Sequence, residues 1–193
     1  ESHQPHWLVL EAGLGGRLDA TTAHGNRPLI AVASIGMDHL EHLGDSLEAI
    51  AAEKAAAIGE GAHVISAAQT PEVTAVLEQR VNEVHGSLQW VDALDESWSL
   101  GLPGTLQKRN AAVAEAALQW ISSSHGAITD QAIRQGFASA HWPGRLQWMH
   151  WRGLRLRVDG AHNPPAAIEL AHERLRWPSA ETRQIWILAI QAQ

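Results

Sequence analysis

Between Pro28 and Ala93 the chain alternates between short apolar runs and longer helical ones, and this alternation narrows its fold more than any other feature. The runs "PLIAVASIG" (28–36), "AHVISA" (62–67) and "SLQWVDA" (87–93) are bounded by Gly, Pro or polar residues. Apolar, β-branched runs of this length without a polar face suit strands covered on both sides. The intervening "DSLEAIAAEKAAAIG" (45–59) and "TPEVTAVLEQRVNEVHG" (70–86) read as helices. Asp45 is placed to cap the first of these, with Glu48 three residues on completing a capping box and Gly59 ending it. Pro71 opens the second in its first turn. Strands separated by helices predict an α/β fold with a mainly parallel sheet flanked by helices. The run "HWLVLEA" (6–12) predicts one more buried strand.

Further along, "LQKRNAAVAEAALQWISSSHG" (106–126) and "TDQAIRQGFASA" (129–140) are expected to be helices. A Pro/Gly break, "HWPGR" (141–145), then changes the period. "LQWMHWRGLRLRVDG" (146–160) alternates about Gly153 like a hairpin, "NPPAAIELAHERLRW" (163–177) is helical, and "RQIWILAIQ" (183–191) reads as a final strand. The expected division is residues 1–143, one α/β domain, and residues 144–193, the start of a second α/β domain.

Composition removes several functions. The 193 residues carry a net charge of -7 and no basic stripe, which disfavours nucleic-acid binding through phosphate neutralisation. There are no cysteines, so disulfides, zinc–thiolate sites and Cys nucleophiles are excluded. No apolar run approaches the length of a membrane span, and a cytoplasmic protein is expected. Only two lysines, Lys54 and Lys108, stand against twelve arginines, so the place of each lysine carries information.

Several positions could carry chemistry. Glu11 ends an apolar run and is followed by Gly13, Gly15 and Gly16, then Arg17 and Asp19. In open parallel sheets ligands bind beyond the carboxyl ends of strands, so an acid there suits a metal or substrate. The alternative is a tight turn with Glu11 paired to Arg17. The run is not a dinucleotide fingerprint, because Leu18 occupies the third glycine position. Asp38 and His39 follow the next apolar run in the same way; a His nitrogen can ligate a metal, or the pair can be a cap and a surface residue. Lys54 falls at helical spacing on the stripe formed by Leu47, Ile50, Ala51 and Ile58. A lysine there either snorkels or becomes a neutral amine able to form a carbamate with carbon dioxide. Asn110, in the first turn of its helix, could read an adenine edge or satisfy a local bond. Arg145 lies in the Pro/Gly break, where a guanidinium can grip phosphate. Asp159, His162 and Asn163 close a strand before a helix start, suiting ribose or substrate contacts, or in Asn163 a helix cap.

In order and spacing, "LEAGLGGRLDATT", "SIGMDHLEHLG", "AAEKAAAIG", "KRNAAVAEAAL", "WPGRLQ" and "VDGAHNPPA" resemble the folylpolyglutamate synthase/dihydrofolate synthase branch of the Mur ligase family across essentially the whole chain. The resemblance implies ATP-dependent amide formation, in which L-glutamate is added to dihydropteroate or folates through an acyl phosphate. It implies Mg2+ held by Glu11 and His39, a carbamylated Lys54, and adenine contacted by Asn110. It also implies Arg145 near the ATP phosphates, Asp159 and His162 on the nucleotide side, and Asp19 in pterin recognition. Lys54, Arg145 and His162 are the expected catalytic set, and the partners are small molecules only, in a full-length monomer.

Three positions depart from the family pattern: Thr22 for Asn, Ala57 for Gly, and Met37 for Leu or Pro. No phosphate-binding G-x-x-x-x-G-K-[ST] loop occurs, since neither lysine follows a glycine. The expectation is therefore a fragment, inactive alone, of a folate ligase. The alternatives are another Mur-type ligase acting on a cell-wall precursor, or a non-catalytic truncated fragment.

Overall fold

A computed structural model describes residues 7–126, 128–177 and 185–189 of the chain. Three parallel strands, β1 (Leu29–Val32), β2 (His63–Ala67) and β3 (Ser87–Val91), form a sheet in the order β1-β2-β3. Leu29 pairs with His63, and His63 in turn with Ser87, so the three strands end level. The crossovers are α1 (Leu40–Leu43) with α2 (Leu47–Ala55), and then α3 (Pro71–Glu83). Two longer helices follow, α4 (Thr105–His125) and α5 (Asp130–Ser139).

The middle strand explains the layering. Successive side chains of a strand point to opposite faces, and all of Val64, Ile65, Ser66 and Ala67 are buried. Val64 packs with Ile50, Ala51, Ile58, Val73, Leu77 and Val81 of the α2/α3 layer. Ile65 and Ala67 pack instead on Val113 and Ala116 of α4. The result is an α/β/α sandwich, as the burial of β2 on both faces requires.

Beyond α5, β4 (Gln147–Trp151) and β5 (Leu154–Val158) form an antiparallel hairpin around Arg152 and Gly153, and α6 (Pro164–Arg174) follows. One face of the hairpin carries Trp148 and, opposite it, Arg157. The Arg157 guanidinium lies 4.5 Å from the Trp148 ring centroid and 4.4 Å from that of Trp177, just past α6. Cation–π stacking of this kind stabilises by roughly 0.5–2 kcal/mol. Desolvation there lowers the Arg157 pKa from its ordinary value.

Three expectations are corrected. Residues 7–12 form no strand: Leu8 and Val9 are 70% and 93% exposed. A strand exists through its ladder, and no described strand pairs with this run. Likewise, residues 185–189 of the expected final strand are unpaired and exposed, with Ile187 at 86%; residues 6, 183, 184, 190 and 191 lie outside the described residues. Third, α2 is capped by Ser46 rather than Asp45. Ser46 has the extended backbone a cap needs (φ -129°, ψ 156°), and the Ala49 N–H donates to its Oγ at 3.2 Å. Glu48 then falls one position short of a capping box.

Leu77 is fully closed off between α2, α3 and the sheet. Leu77→Ala is expected to cost about 2–5 kcal/mol, read as a lower denaturant midpoint with an unchanged slope.

Candidate functional site

Level parallel strands deliver their following loops to one edge, and Asp38 and His39 lie in the loop that follows β1. Past β1, the Asp38 carboxylate accepts the His39 N–H at 3.0 Å through Oδ1. Its other oxygen accepts the Asn163 amide Nδ2 at 2.7 Å, across 125 residues of chain. Asn163 also caps α6, its Oδ1 accepting the Ala166 N–H at 2.9 Å. The two bonds fix the amide in one orientation, with acceptor to the helix and donors to the carboxylate. Gly36 makes the approach feasible, since a Cβ there would sit 2.6 Å from Pro165 Cγ. His39 adopts a left-handed backbone (φ 52°), and its Nε2 lies 3.8 Å from Asp38 Oδ2. One residue before Asn163, His162 Nδ1 donates to the Gly160 carbonyl at 2.8 Å, which leaves Nε2 as the acceptor nitrogen of an exposed ring.

Gln69 holds the β1 and β2 loops together. Its Nε2 donates to the Ala33 carbonyl (2.9 Å) and to Ser66 Oγ (3.1 Å), while its Oε1 accepts the Ile35 N–H (3.0 Å). Nothing in the sequence marks it, because a glutamine before a helix start has no local signature.

The glycine loop docks on the end of α2. A Cβ on Gly16 would lie 2.8 Å from both the Glu53 and the Lys54 carbonyl oxygens, so only glycine fits. The Arg17 N–H donates to the Glu53 carbonyl at 3.2 Å, and Arg17 Nε pairs with the Glu53 carboxylate at 2.8 Å. Arg17 therefore does not pair with Glu11, which is exposed and makes no ion pair among the described residues. Arg27 straps the loop down from behind, donating to the Ala57 carbonyl at 2.9 Å and the Thr22 carbonyl at 2.8 Å.

Lys54 stands in the last turn of α2, half-buried beside the buried Ile50, Ala51, Ala55 and Ile58. No ion pair reaches Lys54 among the described residues.

Asp19 is spent within its own loop. Oδ1 accepts the Thr21 hydroxyl (2.6 Å) and N–H (2.9 Å), and Oδ2 accepts the N–H groups of Gly13 (2.9 Å) and Leu14 (3.0 Å). The Thr21 hydroxyl most of all, with the Leu14, Thr21 and Gly13 N–H groups, holds this carboxyl far below the ordinary carboxylate range.

Asn110, Arg145 and Asp159 lie about the first turns of α4. Glu173 of α6 accepts the Thr105 N–H (3.0 Å) and hydroxyl (3.2 Å), placing a carboxylate at the positive end of α4. Arg109 of α4 pairs with Glu169 of α6. Between the helices lies a cleft lined by Gln107, Arg145 and Asp159. Asp159 shapes it by accepting the Leu146 N–H at 2.9 Å and the Ala161 N–H at 2.8 Å, while Arg145 stays exposed. Gln107 also borders a second, apolar cavity of about 210 Å³ with Asn110, Leu100, Leu102 and Phe137. There the Asn110 Nδ2 donates to Gln107 Oε1 at 3.2 Å. Gln107 was not legible as a site residue, although it stands three positions from Asn110 and so on the same helix face.

Among the described residues, no three His, Cys, Asp or Glu side chains cluster tightly enough to hold a metal unaided, and no helix is long and apolar enough to cross a membrane. Glu11 and His39 are single donors on separate segments. Such a set suits Mg2+, which takes one or two protein groups and completes its shell with water and phosphate oxygens.

No protein-family model matches the chain. It is 33% identical over 196 residues to the dihydrofolate synthase/folylpolyglutamate synthase of Bacillus subtilis, covering 89% of this chain and 45% of that protein. It superposes on an FPGS–AMPPCP–folate complex with a TM-score of 0.80 at 27% identity, over 89% of this chain and 47% of that one. E. coli FolC in complex with DHPP and ADP matches with a TM-score of 0.72 at 32% identity, over 88% of this chain and 43% of that one. The fold is thus the parallel α/β arrangement of enzymes whose structures hold adenine nucleotides. The chain belongs to the folylpolyglutamate synthase/dihydrofolate synthase family, and it spans about half the length of the relatives it matches.

Two measurements check this geometry. Asp19 contributes loop stability that is full above its unfolded pKa, near 3.8, and is lost as pH falls toward the lower folded value. The melting-temperature gap between wild type and Asp19→Asn is therefore expected to be widest near pH 7 and to shrink below pH about 4. For the second, Asn163→Asp keeps the cap but sets two carboxylates face to face. It should cost about 1–3 kcal/mol, and the swapped pair Asp38→Asn with Asn163→Asp should recover most of the loss.

Proposed function

We propose that this chain supplies the adenine-nucleotide and metal-binding parts of an ATP-dependent ligase that adds L-glutamate to dihydropteroate, folates or both. Family membership supports the reaction class. The observation that carries the site reading is the clamp of α6 on the first turn of α4, which sets Asn110, Arg145 and Asp159 around Gln107. An amide bordering an apolar cavity suits a purine base, and an exposed guanidinium one cleft away suits its phosphates.

In this reading a substrate carboxylate oxygen attacks the γ-phosphorus of ATP and expels ADP. The glutamate amine then attacks the acyl phosphate carbon, loses a proton and expels inorganic phosphate. Carboxylate and triphosphate repel, so the barrier is largely electrostatic and positional. Mg2+, when bound, neutralises phosphate charge; Glu11 and His39 are the residues that would hold it. Arg145 grips phosphate, Asp159 holds the loop that presents Arg145, and His162 offers Nε2 toward the nucleotide. Lys54, as its carbamate, would add an anion beside the glycine loop. Asp19 acts on the pterin by fixing that loop, because its own acceptor sites are already filled. Residues 1–143 would form the central nucleotide domain and residues 144–193 the beginning of the glutamate-ligase domain of a cytoplasmic protein, monomeric when full-length.

Titration of the chain with ATP and magnesium, followed by amide NMR shifts, tests this reading. The shifts are expected at residues 104–110, 144–146 and 159–162, and Asn110→Ala or Arg145→Ala should weaken binding by about tenfold. No binding, or shifts confined elsewhere, would refute it.

A further inference from the structure

We infer that the hairpin carries an anion track: Arg157, Arg155 and Arg152, leading away from the cleft at Arg145, hold a glutamyl tail on the product. The inference rests on the reading of this chain as part of a glutamate-adding ligase, and gives a role to a surface that reading leaves unused. Charge points to an anion here. Residues 144–177 hold six arginines against three acids, in a chain whose net charge is -7. None of Arg145, Arg152, Arg155 and Arg157 makes an ion pair among the described residues. The opposite face of the hairpin is apolar, with Met149, Leu154 and Val158 exposed, so charge and packing surface are segregated.

Stacking fixes the cations in place. The Trp148 ring centroid lies 4.4 Å from the Arg155 guanidinium and 4.5 Å from that of Arg157, which is also 4.4 Å from Trp177. Arg152 stacks on Trp151 at 4.7 Å. A guanidinium held by its face keeps the N–H groups at its edge, and these suit a carboxylate in bidentate fashion. Burial above all, and the neighbouring Arg155 charge, lower the Arg157 pKa against the opposing pull of Glu173. A carboxylate bound between the two arginines relieves their repulsion. Register supplies the direction. Gln147 pairs with Val158 and Trp148 with Arg157, so the track begins at the second rung from the end that carries Arg145 and Asp159. Arg155 follows on the same face, ~7 Å further along the strand, and Arg152 stands in the turn. Each added glutamate leaves a carboxylate on the product, so a product elongated again trails a row of anions out of the cleft. Tethering at the cleft raises the effective concentration of that tail over the track, so individually weak contacts suffice.

Hexa-γ-L-glutamate is titrated into the 193-residue chain at low salt, with amide NMR shifts giving Kd and ATP with magnesium titrated in parallel. Shifts are expected at residues 148–157, and not with free L-glutamate at the same carboxylate concentration. Arg155→Ala should weaken binding by about three- to tenfold and Arg155→Glu by more. Arg176, equally exposed but outside the stack, is the control, and Arg176→Ala should change binding by about twofold or less. Unchanged circular dichroism and melting confirm that each variant folds. No binding, shifts confined elsewhere, or an equal loss in Arg155→Ala and Arg176→Ala overturns the track. Tighter binding of a single-stranded oligonucleotide of equal charge also overturns it, since the surface then reads bases rather than carboxylates. If ATP shifts residues 104–110 while the glutamate chain binds nowhere, this inference fails and the ligase reading survives. If the glutamate chain binds the track and ATP binds nowhere, the ligase reading fails and takes the product assignment with it.

Discussion

Parallel pairing in register is the constraint on which the rest of this molecule depends. Because Leu29, His63 and Ser87 align, the three strands finish at one edge and their loops must share it. Polar groups delivered to that edge leave the ladder and need partners elsewhere. Gln69 supplies three of them, to Ala33, Ile35 and Ser66, and so makes two separate loops a single platform. Asp38 stands on this platform and is the group to which the distant Asn163 attaches. A strand register chosen for core packing thereby decides where α6 can begin.

The attachment of α6 is built from several modest contacts rather than one strong one. A carboxylate at a helix N-terminus stabilises by roughly 0.3–1 kcal/mol, so Glu173 on Thr105 could not hold the helix alone. The Arg109–Glu169 pair, the Asn163–Asp38 bond and the contact of Pro165 on Gly36 act at different points along α6. Contacts spread along a helix resist rotation as well as separation. That matters here because Ala166, Glu169 and Glu173 of α6 line one cleft with Arg145 and Asp159. The same helix leads to Trp177, which encloses Arg157 of the hairpin.

What was legible in the sequence follows from how local each signal is. Helix α3 was readable because Pro71 and the Val73, Leu77, Val81 stripe are contained in the helix itself. Strand β2 was readable because its burial on both faces needs no polar position. Residues 7–12 carry an equally apolar run but no local mark of whether a neighbouring strand exists, and pairing is not a property of one segment. The Ser46 cap was missed by a single position because Asp45 and Ser46 are both good caps, and backbone angles chose between them. Lys54 keeps its place on α2 and is half-buried beside the buried Ile50, Ala51 and Ala55. Asn110, Arg145 and Asp159 were singled out through motif order, whereas Gln69 acts through partners that only the fold brings near.

The glycine loop is held in place by its own residues. Gly16 rests on the carbonyl oxygens of Glu53 and Lys54, so any side chain there would lift the loop from α2. Those carbonyls end a helix, carry partial negative charge and need donors; Arg17 provides one to Glu53, and Arg27 reaches the Ala57 carbonyl just beyond. Asp19 then gathers the N–H groups of Gly13 and Leu14 on the other side of the turn. The loop is thus held from beneath by the Arg17 N–H and the Arg27 guanidinium on carbonyls, and from within by an anion on amides. The backbone of Lys54 is itself part of the surface on which the loop rests.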